Sequence, residues 1–195
     1  MSAPRPTAPA GEAAPACLRA GVAAAAPARV VADALCLDGD VLRVGGDGYD
    51  LSRFDRVLVL GAGKPAAAVA DALEALLGDR VDGGAVVVPG DDAETGRAVE
   101  RLPGDHPVPS ERGVASAARV RELAADADES TLVLAVVAGG GSALMPAPAD
   151  VSLADLRTTT GQLLAAGADV EATNTVRRRL STLKGGGLAR AGDGP

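Results

Sequence analysis

Aliphatic runs that stop at glycine or proline, and that alternate with helical segments, constrain the fold of this chain most strongly. Three such runs are predicted strands, at residues 56–60, 84–88 and 131–137, and a shorter strand is predicted at 100–102. Strands that alternate with helices form parallel sheets, and helices then cover both faces. We therefore expect an α/β fold, namely a three-layer α/β/α arrangement with a mainly parallel, Rossmann-like sheet. The long run at 131–137 is the predicted centre of that sheet.

Helix signals fill the segments between and around these strands. Predicted helices cover residues 17–37, 65–77, 110–125, 152–165 and 169–181. The first of them is expected to break near Pro27, because proline ends or restarts a helix. Ser110 and Ser152 are favourable N-caps, and Asp155 completes a capping box with Ser152. A short hairpin strand is expected at residues 41–44.

The composition limits the partners that the chain can bind. Its net charge is −7 and its isoelectric point is about 4.7, which argues against nucleic acid, because nucleic-acid-binding domains carry basic surfaces. Aromatic residues make up only 1% of the chain, so the core must consist of valine, leucine and alanine. Cys17 and Cys36 lack metal-ligand spacing. The alanine-rich run at 21–28 is too short to span a bilayer, and we expect a cytoplasmic protein without a membrane partner.

The two lysines of the chain, Lys64 and Lys184, both lie beside glycine, whereas the other seventeen basic residues are arginine. A lysine gives a compact ammonium group on a flexible stem, which arginine does not provide. Glycine beside it lets a ligand approach the backbone closely. This combination is typical of phosphate sites. Chance is the alternative explanation, since a chain with few lysines must place them somewhere.

Two glycine loops follow predicted strands. The first contains Gly61 and Gly63 ahead of Lys64, and its spacing matches neither a Walker A loop nor a Gly-x-Gly-x-x-Gly fingerprint. It is either a tight turn or an anion site. The second loop consists of Gly139, Gly140, Gly141 and Ser142. Successive N–H groups in such a loop can point at one anion, and the serine hydroxyl adds another donor. We favour a ligand-binding role for this second loop.

Two further groups of polar residues are candidates for ligand contact. His106, the one histidine, lies in a stiff proline context and is either a structural hydrogen-bonding group or a residue that orients a polar substrate. On a predicted helix, Asn174, Arg177 and Ser181 share one face ahead of Lys184. An amide, a guanidinium and a hydroxyl on one face favour anion recognition. Basic residues at a helix C-terminus are also favoured by the macrodipole alone.

Five segments in this order resemble the glycerate 2-kinase family, whose C-terminal part is called the MOFRL domain. They are an opening helix at 16–27, the lysine loop at 61–68, a His-Pro-Val-Pro segment at 106–109, a Gly-Gly-Gly-Ser-Ala-Leu loop at 139–144 and an Asn-Thr-Val-Arg to Lys-Gly-Gly segment at 174–186. The resemblance implies that residues 16–195 are the family's N-terminal α/β domain, behind a disordered tail at 1–15. It also implies a truncated chain that lacks the family's C-terminal domain.

The resemblance implies an ATP-dependent kinase that phosphorylates D-glycerate to 2-phosphoglycerate. ATP and Mg²⁺ or another divalent cation are the expected cofactors, with the metal ligands in the missing half. Lys64 and Arg177 are the expected catalytic residues. The expected substrate- or phosphate-binding residues are Gly61, Gly63, His106, Gly139, Gly140, Gly141, Ser142, Asn174 and Lys184. Besides D-glycerate and ATP, the expected partner is a separate C-terminal domain or a second copy in a homodimer.

Two alternative functions stay open. The isolated chain is expected to be inactive or nearly so, and one alternative is that it is a non-catalytic anion-binding remnant of such an enzyme. The weaker alternative is an NAD-dependent hydroxypyruvate reductase. It is weaker because the sequence offers no dinucleotide-binding fingerprint.

Overall fold

The structure is a computed structural model that describes residues 10–90 and 96–192. It confirms the expected α/β fold, with helices on both faces of a parallel sheet. The helices are α1 (Ala10–Ala24), α2 (Pro27–Ala34), α3 (Ala66–Leu77), α4 (Glu111–Ala125), α5 (Gly141–Leu144), α6 (Leu153–Ala165), α7 (Val170–Arg179) and α8 (Gly187–Gly192). The strands are β1 (Leu35–Asp38), β2 (Val41–Val44), β3 (Asp47–Asp50), β4 (Arg56–Ala62), β5 (Gly83–Pro89), β6 (Glu100–Gly104) and β7 (Thr131–Val137).

The parallel sheet has the strand order β6-β5-β4-β7. The prediction that residues 131–137 form its centre is therefore wrong, because within the described residues β7 pairs with β4 alone. One face of β7 is also uncovered at its carboxyl end, where Val137 is 87% exposed. An aliphatic run indicates a strand whose two faces can be buried. It does not indicate how many strands lie beside it, and this is why the prediction failed.

Side chains of the central strand β4 alternate between two separate hydrophobic cores. Val57 and Val59 pack with residues of α2 and α3, whereas Leu58 and Leu60 pack with residues of α4 and α5. Both cores consist of valine, leucine and alanine, as the composition predicts. The period-two alternation of a strand thus fixes which helices cover which face.

The N-terminal part differs from the prediction in two places. α1 begins at Ala10, so residues 10–15 are helical instead of belonging to a tail, and residues 1–9 lie outside the described part. The break near Pro27 is confirmed, but α2 ends at Ala34 and the next residues form β1. Leu35 and Leu37 pack on the α3 core while Cys36 is exposed, and this alternation favours a strand.

β1, β2 and β3 form a separate antiparallel sheet, and the predicted hairpin strand is its middle strand β2. No helix in residues 10–90 and 96–192 is both long and apolar enough to cross a membrane.

Both predicted N-caps are confirmed. The Ser110 hydroxyl accepts a hydrogen bond from the backbone N–H of Gly113 at 3.2 Å, and α4 begins directly after it. Ser152 and Asp155 form the complete capping box, with the Asp155 carboxylate accepting from the backbone N–H of Ser152 at 3.1 Å. These caps fix where α4 and α6 begin.

Candidate functional site at the carboxyl edge of the sheet

The two glycine loops leave the sheet side by side. β4 ends at Ala62, ahead of Gly63 and Lys64, and β7 ends just before Ala138. The backbone N–H of Ala138 donates to the carbonyl of Ala62 at 3.1 Å, and that of Lys64 donates to the carbonyl of Gly139 at 2.8 Å. Ligands of open parallel α/β sheets bind at this edge. The structure therefore brings both predicted loops to the place where a ligand is expected.

Close packing explains why residues 61 and 63 are glycine, without any ligand. A Cβ atom at Gly61 would overlap the backbone carbonyl of Val136, and one at Gly63 would overlap Ala138. These glycines let β4 and β7 approach each other, so they have a structural role whatever they bind. Gly139 differs, because no atom lies within 4 Å of a Cβ built there. Ligand contact by these three glycines stays a prediction.

Lys64 and His106 both lie next to Gly140. A Cβ atom at Gly140 would lie 3.1 Å from Cγ of Lys64 and 3.2 Å from Cδ2 of His106. Gly140 also has φ +90°, which a residue with a Cβ rarely adopts. Lys64 is exposed, and its ammonium group has no hydrogen-bond partner within the described ranges. The predicted lysine, the predicted histidine and the second glycine loop therefore meet at one point of the surface.

Hydrogen bonds of both its side chain and its backbone hold Lys184 in place. Its Nζ donates a hydrogen bond to the carbonyl of Met145 at 3.0 Å, and its backbone N–H donates to the hydroxyl of Ser181 at 3.3 Å. Burial, and then the charge of Arg177, lower the pKa of Lys184 from 10.5 to about 8. α7 ends at Arg179, so Ser181 lies beyond the helix and caps the Lys184 turn. The prediction that Ser181 shares a helical face with Arg177 is therefore wrong.

Arg177 and Lys184 form a pair of partly buried cations without a carboxylate. Burial lowers the pKa of Arg177 as well. No ion pair within 4 Å connects either residue to an acidic group among the described residues. Charged groups that lose water without gaining a counter-charge are costly, and an anion between them offsets that cost. This pair is the strongest chemical signal for an anion site in the structure.

Two adjoining cavities connect these groups. The larger, of about 1470 Å³, runs along β7 and α7 to Lys184. The smaller, of about 590 Å³, lies between the His106 loop, α5, α6 and α7. The residues that line both cavities are Val137, Ala138, Gly141, Ser142, Asn174 and Arg177. Four of the residues predicted from sequence, Gly141, Ser142, Asn174 and Arg177, thus form the shared wall.

Other predicted residues line one cavity only or neither. Gly61 and Lys184 line the larger cavity, whereas His106 and Gly140 line the smaller. Gly63, Gly139 and Lys64 line neither, although Lys64 reaches the site through its contact with the Gly140 position. The sequence-predicted set therefore converges on one region, with Lys64 at its rim.

Sequence reasoning missed the arginines that hold the His106 loop. Arg112 donates from Nε to the Asp105 carboxylate at 2.7 Å, and this hydrogen bond, followed by one from Ser110, lowers the pKa of Asp105 to about 2. Arg157 donates from Nε to the carbonyl of Pro109 at 2.6 Å. Arg157 is far from Pro109 in sequence, and no local pattern indicates that contact. Asp105 remains ionised at any ordinary pH, which keeps the loop anchored.

Sequence reasoning also missed two threonines of the smaller cavity. Thr160 and Thr173 are 8% and 6% exposed, and their Oγ1 atoms have no hydrogen-bond partner among the described residues. Threonine on a helix is common in sequences and carries no signal by itself. Its lack of a partner becomes visible only in three dimensions.

The described residues contain no group of three or more histidine, cysteine, aspartate or glutamate side chains that could hold a metal ion. Asp126, Asp128, Glu129 and Glu171 line the larger cavity as well, but the site residues predicted from sequence contribute cations, an imidazole, a hydroxyl, an amide and backbone groups. Such a set suits an anion that carries hydroxyl groups.

The chain matches a family of known proteins. A family model described as Domain of unknown function (DUF4147) matches residues 13–194. A glycerate kinase from Danio rerio is 37% identical over 179 residues, which span 84% of this chain and 35% of that protein. A glycerate 2-kinase from Pyrococcus horikoshii is 36% identical over 170 residues, which span 87% of this chain and 38% of that protein.

A solved structure agrees with the sequence relatives. A protein from Pyrococcus horikoshii superimposes on this chain with a TM-score of 0.83 and 30% identity, covering 97% of this chain and 43% of that protein. The chain spans little more than a third of the length of the two sequence relatives. This coverage is consistent with the N-terminal region alone. The chain therefore belongs to the DUF4147 family, and glycerate kinases are among its relatives.

Proposed function

We propose that this chain is the N-terminal part of a glycerate 2-kinase, which transfers the γ-phosphoryl group of ATP to the 2-hydroxyl of D-glycerate. The observation that supports this most directly is the partly buried pair of Arg177 and Lys184, which has no carboxylate partner in the described part of the chain. The pair lies on cavity walls at the carboxyl edge of the sheet. Glycerate kinases among the relatives suggest which anion binds there.

Phosphoryl transfer requires positioning and charge stabilisation more than covalent chemistry. Arg177 and Lys184 would bind the carboxylate or a phosphate from one wall. Lys64 would bind the transferring phosphoryl group or the glycerate carboxylate from the other side, where it lies against the Gly140 position. Ser142 and the backbone N–H groups of its loop would orient the anion between them.

ATP supplies the phosphoryl group, and Arg177 and Lys184 on the cavity wall are the cations proposed to contact its phosphates. Mg²⁺ or another divalent cation is part of the proposal, but the described residues offer no cluster of ligands for it. We therefore place its ligands in the C-terminal region of a full-length protein and derive no step from the metal.

The proposed activity belongs to a protein of the relatives' length. The chain spans only 35% and 38% of the two relatives above. Val137 lies on an uncovered face of β7 and lines the larger cavity. A cavity along an exposed apolar strand is suited to packing against further protein. We therefore propose that the C-terminal region closes this side of the site.

Co-expression with the separately encoded C-terminal region of the Pyrococcus horikoshii glycerate 2-kinase tests the proposal. The assay follows ADP formation from ATP and D-glycerate with Mg²⁺, and the relative's own N-terminal region is the positive control. We expect no turnover by the chain alone, and turnover when the C-terminal region is present. Lys64→Arg should remove most of this turnover, because the guanidinium is planar and larger than the ammonium group.

Two outcomes would contradict this proposal. Turnover by the isolated chain would show that the C-terminal region is not required. Binding of D-glycerate without any turnover, while the control pair is active, would favour the alternative of a non-catalytic anion-binding domain. Hydroxypyruvate with NADH serves as the control reaction for the reductase alternative, and we expect no NADH oxidation.

A further inference from the structure

Two threonines that line the smaller cavity carry buried hydroxyl groups without hydrogen-bond partners in the described part of the chain. Thr160 lies on α6 and Thr173 on α7, and both line this cavity. They are 8% and 6% exposed, and neither Oγ1 atom has a hydrogen-bond partner among residues 10–90 and 96–192. Buried side-chain hydroxyls are nearly always hydrogen-bonded. Two exceptions on facing helices, at one cavity, call for a common explanation.

A threonine hydroxyl in a helix can usually form a hydrogen bond locally, since Oγ1 can bond to a backbone carbonyl in the preceding turn of its own helix. Neither Thr160 nor Thr173 uses it. If their role were packing alone, valine would have the same shape without a buried polar atom. The two unpaired hydroxyls therefore point to a hydrogen-bond partner outside the described residues, which we take to be a ligand in the cavity.

The neighbours of the two threonines define the chemistry of that partner. On α7, Thr173 and Arg177 are four residues apart and thus on one face, and both line the cavity. On α6, Arg157 and Thr160 are three residues apart and line it as well. Asn174 adds an amide. Each helix thus contributes one cation and one hydroxyl.

The cavity lining includes no aspartate or glutamate among the residues described. An anionic ligand would meet no like charge there, whereas a cationic ligand would meet two arginines. A neutral ligand would leave the charge of Arg177 uncompensated. A carboxylate that carries hydroxyl groups matches both the cations and the free hydroxyls.

We propose that Thr160 and Thr173 form a hydroxyl-reading subsite, which hydrogen-bonds the hydroxyl groups of a short hydroxy acid whose carboxylate binds Arg177. This inference rests on the proposed function for the class of ligand, and it adds the residues that select the ligand by its hydroxyls. A ligand that lacks a hydroxyl leaves one threonine unpaired, so it binds more weakly.

Binding measurements on the whole chain with three ligands test this subsite. D-glycerate carries both hydroxyls, D-lactate lacks the 3-hydroxyl, and 3-hydroxypropionate lacks the 2-hydroxyl. Isothermal titration calorimetry gives the dissociation constants for the wild type, for Thr160→Val and for Thr173→Val. Thr158→Val, at an exposed position of the same helix, is the matched control. Thr160→Ser and Thr173→Ser keep the hydroxyl and test for rescue.

For the wild type and the control, we expect D-glycerate to bind about three- to tenfold more tightly than each analogue, which is the usual effect of one hydrogen bond. Each valine variant should lose the discrimination for one hydroxyl, and the serine variants should regain it. A structural role alone cannot produce this pattern, because it would weaken all three ligands equally.

Unchanged discrimination in both valine variants would overturn the subsite, even if D-glycerate binds well, and would leave the proposed function intact. Equal affinity of the wild type for all three ligands would overturn it as well. Failure of the wild type to bind D-glycerate would overturn the subsite, and failure to bind inorganic phosphate in addition would contradict the proposed function too. A melting curve for each variant shows whether it is folded.

Discussion

Arg177 and Lys184 lie close enough for the charge of one to act on the other, and neither has an acidic partner among the described residues. Burial and then this repulsion lower the pKa of Lys184 to about 8. A bound anion would offset this repulsion between the two cations, since it attracts both of them. The pair therefore gains stability from the ligand that the site is proposed to bind.

The affinity for D-glycerate should depend on pH through Lys184. Below about pH 8 the ammonium group is charged and binding is at its strongest, and above that pH the affinity should fall by up to about tenfold per pH unit. The carboxylate of D-glycerate stays ionised throughout this range. Calorimetric titrations between about pH 6.5 and pH 9.5 measure the effect. Lys184→Met should bind weakly at every pH, and a steep decline in that variant would assign the titration to another group.

The same pKa shift affects stability with the opposite sign. The pKa of Lys184 is lower in the folded protein than its ordinary value of 10.5, so the unfolded chain binds more protons between pH 8 and pH 10.5. The contribution of Lys184 to stability should therefore rise with pH across this window. Urea unfolding of the wild type and of Lys184→Met isolates this contribution. The difference in unfolding free energy between the two proteins should change with pH only between pH 8 and pH 10.5.

Removing Arg177 should raise the pKa of Lys184. Burial is the larger cause of the shift and remains in Arg177→Met, so the pKa should rise only part of the way towards 10.5. The chain has two lysines, which makes NMR titration of their side-chain resonances direct. Lys64→Arg identifies which signal belongs to Lys184. An unchanged or lower pKa of Lys184 in Arg177→Met would show that the two charges do not interact.

Gly140 should be far less tolerant of a side chain than its neighbour Gly139. Alanine at 140 would have to adopt φ +90° and would press on Lys64 and His106, whereas alanine at 139 meets open space. Gly140→Ala should cost about 1–3 kcal/mol of unfolding free energy and weaken D-glycerate binding. Gly139→Ala should change neither by much. Denaturant unfolding and calorimetry measure both quantities, and equal effects at the two positions would refute the arrangement around Gly140.

Adjacent valines of β7 test whether one face of this strand is uncovered in the described part of the chain. Val136 is 6% exposed and Val137 is 87% exposed, so the same substitution meets opposite surroundings. Val136→Ala should cost about 1–3 kcal/mol, because it opens a cavity in the core. Val137→Ala should stay within about 0.5 kcal/mol in the isolated chain. Comparable losses at both positions would indicate that β7 is covered on both faces, as the sequence alone predicts.

Much of the fold could be predicted from sequence because local signals and the global fold agree. Ser110 and Ser152 predict helix starts through a single hydrogen-bonding turn, and the structure confirms both. The order of strands depends on pairings between distant segments, such as Arg56 with Thr131. No local pattern encodes such a pairing, which is why the centre of the sheet was misplaced.

The candidate site likewise contains some residues that the sequence indicates and others that only the structure reveals. Lys64 and Lys184 stand out in the sequence because lysine is rare in this chain and glycine lies beside each. Arg157 and Thr160 do not stand out, since polar residues on a helix usually face solvent. Arg157 matters through its hydrogen bond to the distant carbonyl of Pro109, and Thr160 through a buried hydroxyl that has no partner among the described residues. Both features exist only in the folded chain.

A titration of D-glycerate into the chain, followed by the side-chain NMR signals of Lys64 and Lys184 near pH 7, tests the central claim most directly. If the two lysines and Arg177 surround one anion site, both signals should shift and saturate with the same dissociation constant. The pKa of Lys184 should rise above 8 in the complex, and Arg177→Met should abolish both responses. Shifts that do not saturate, or a response of Lys64 without one of Lys184, would contradict a shared site.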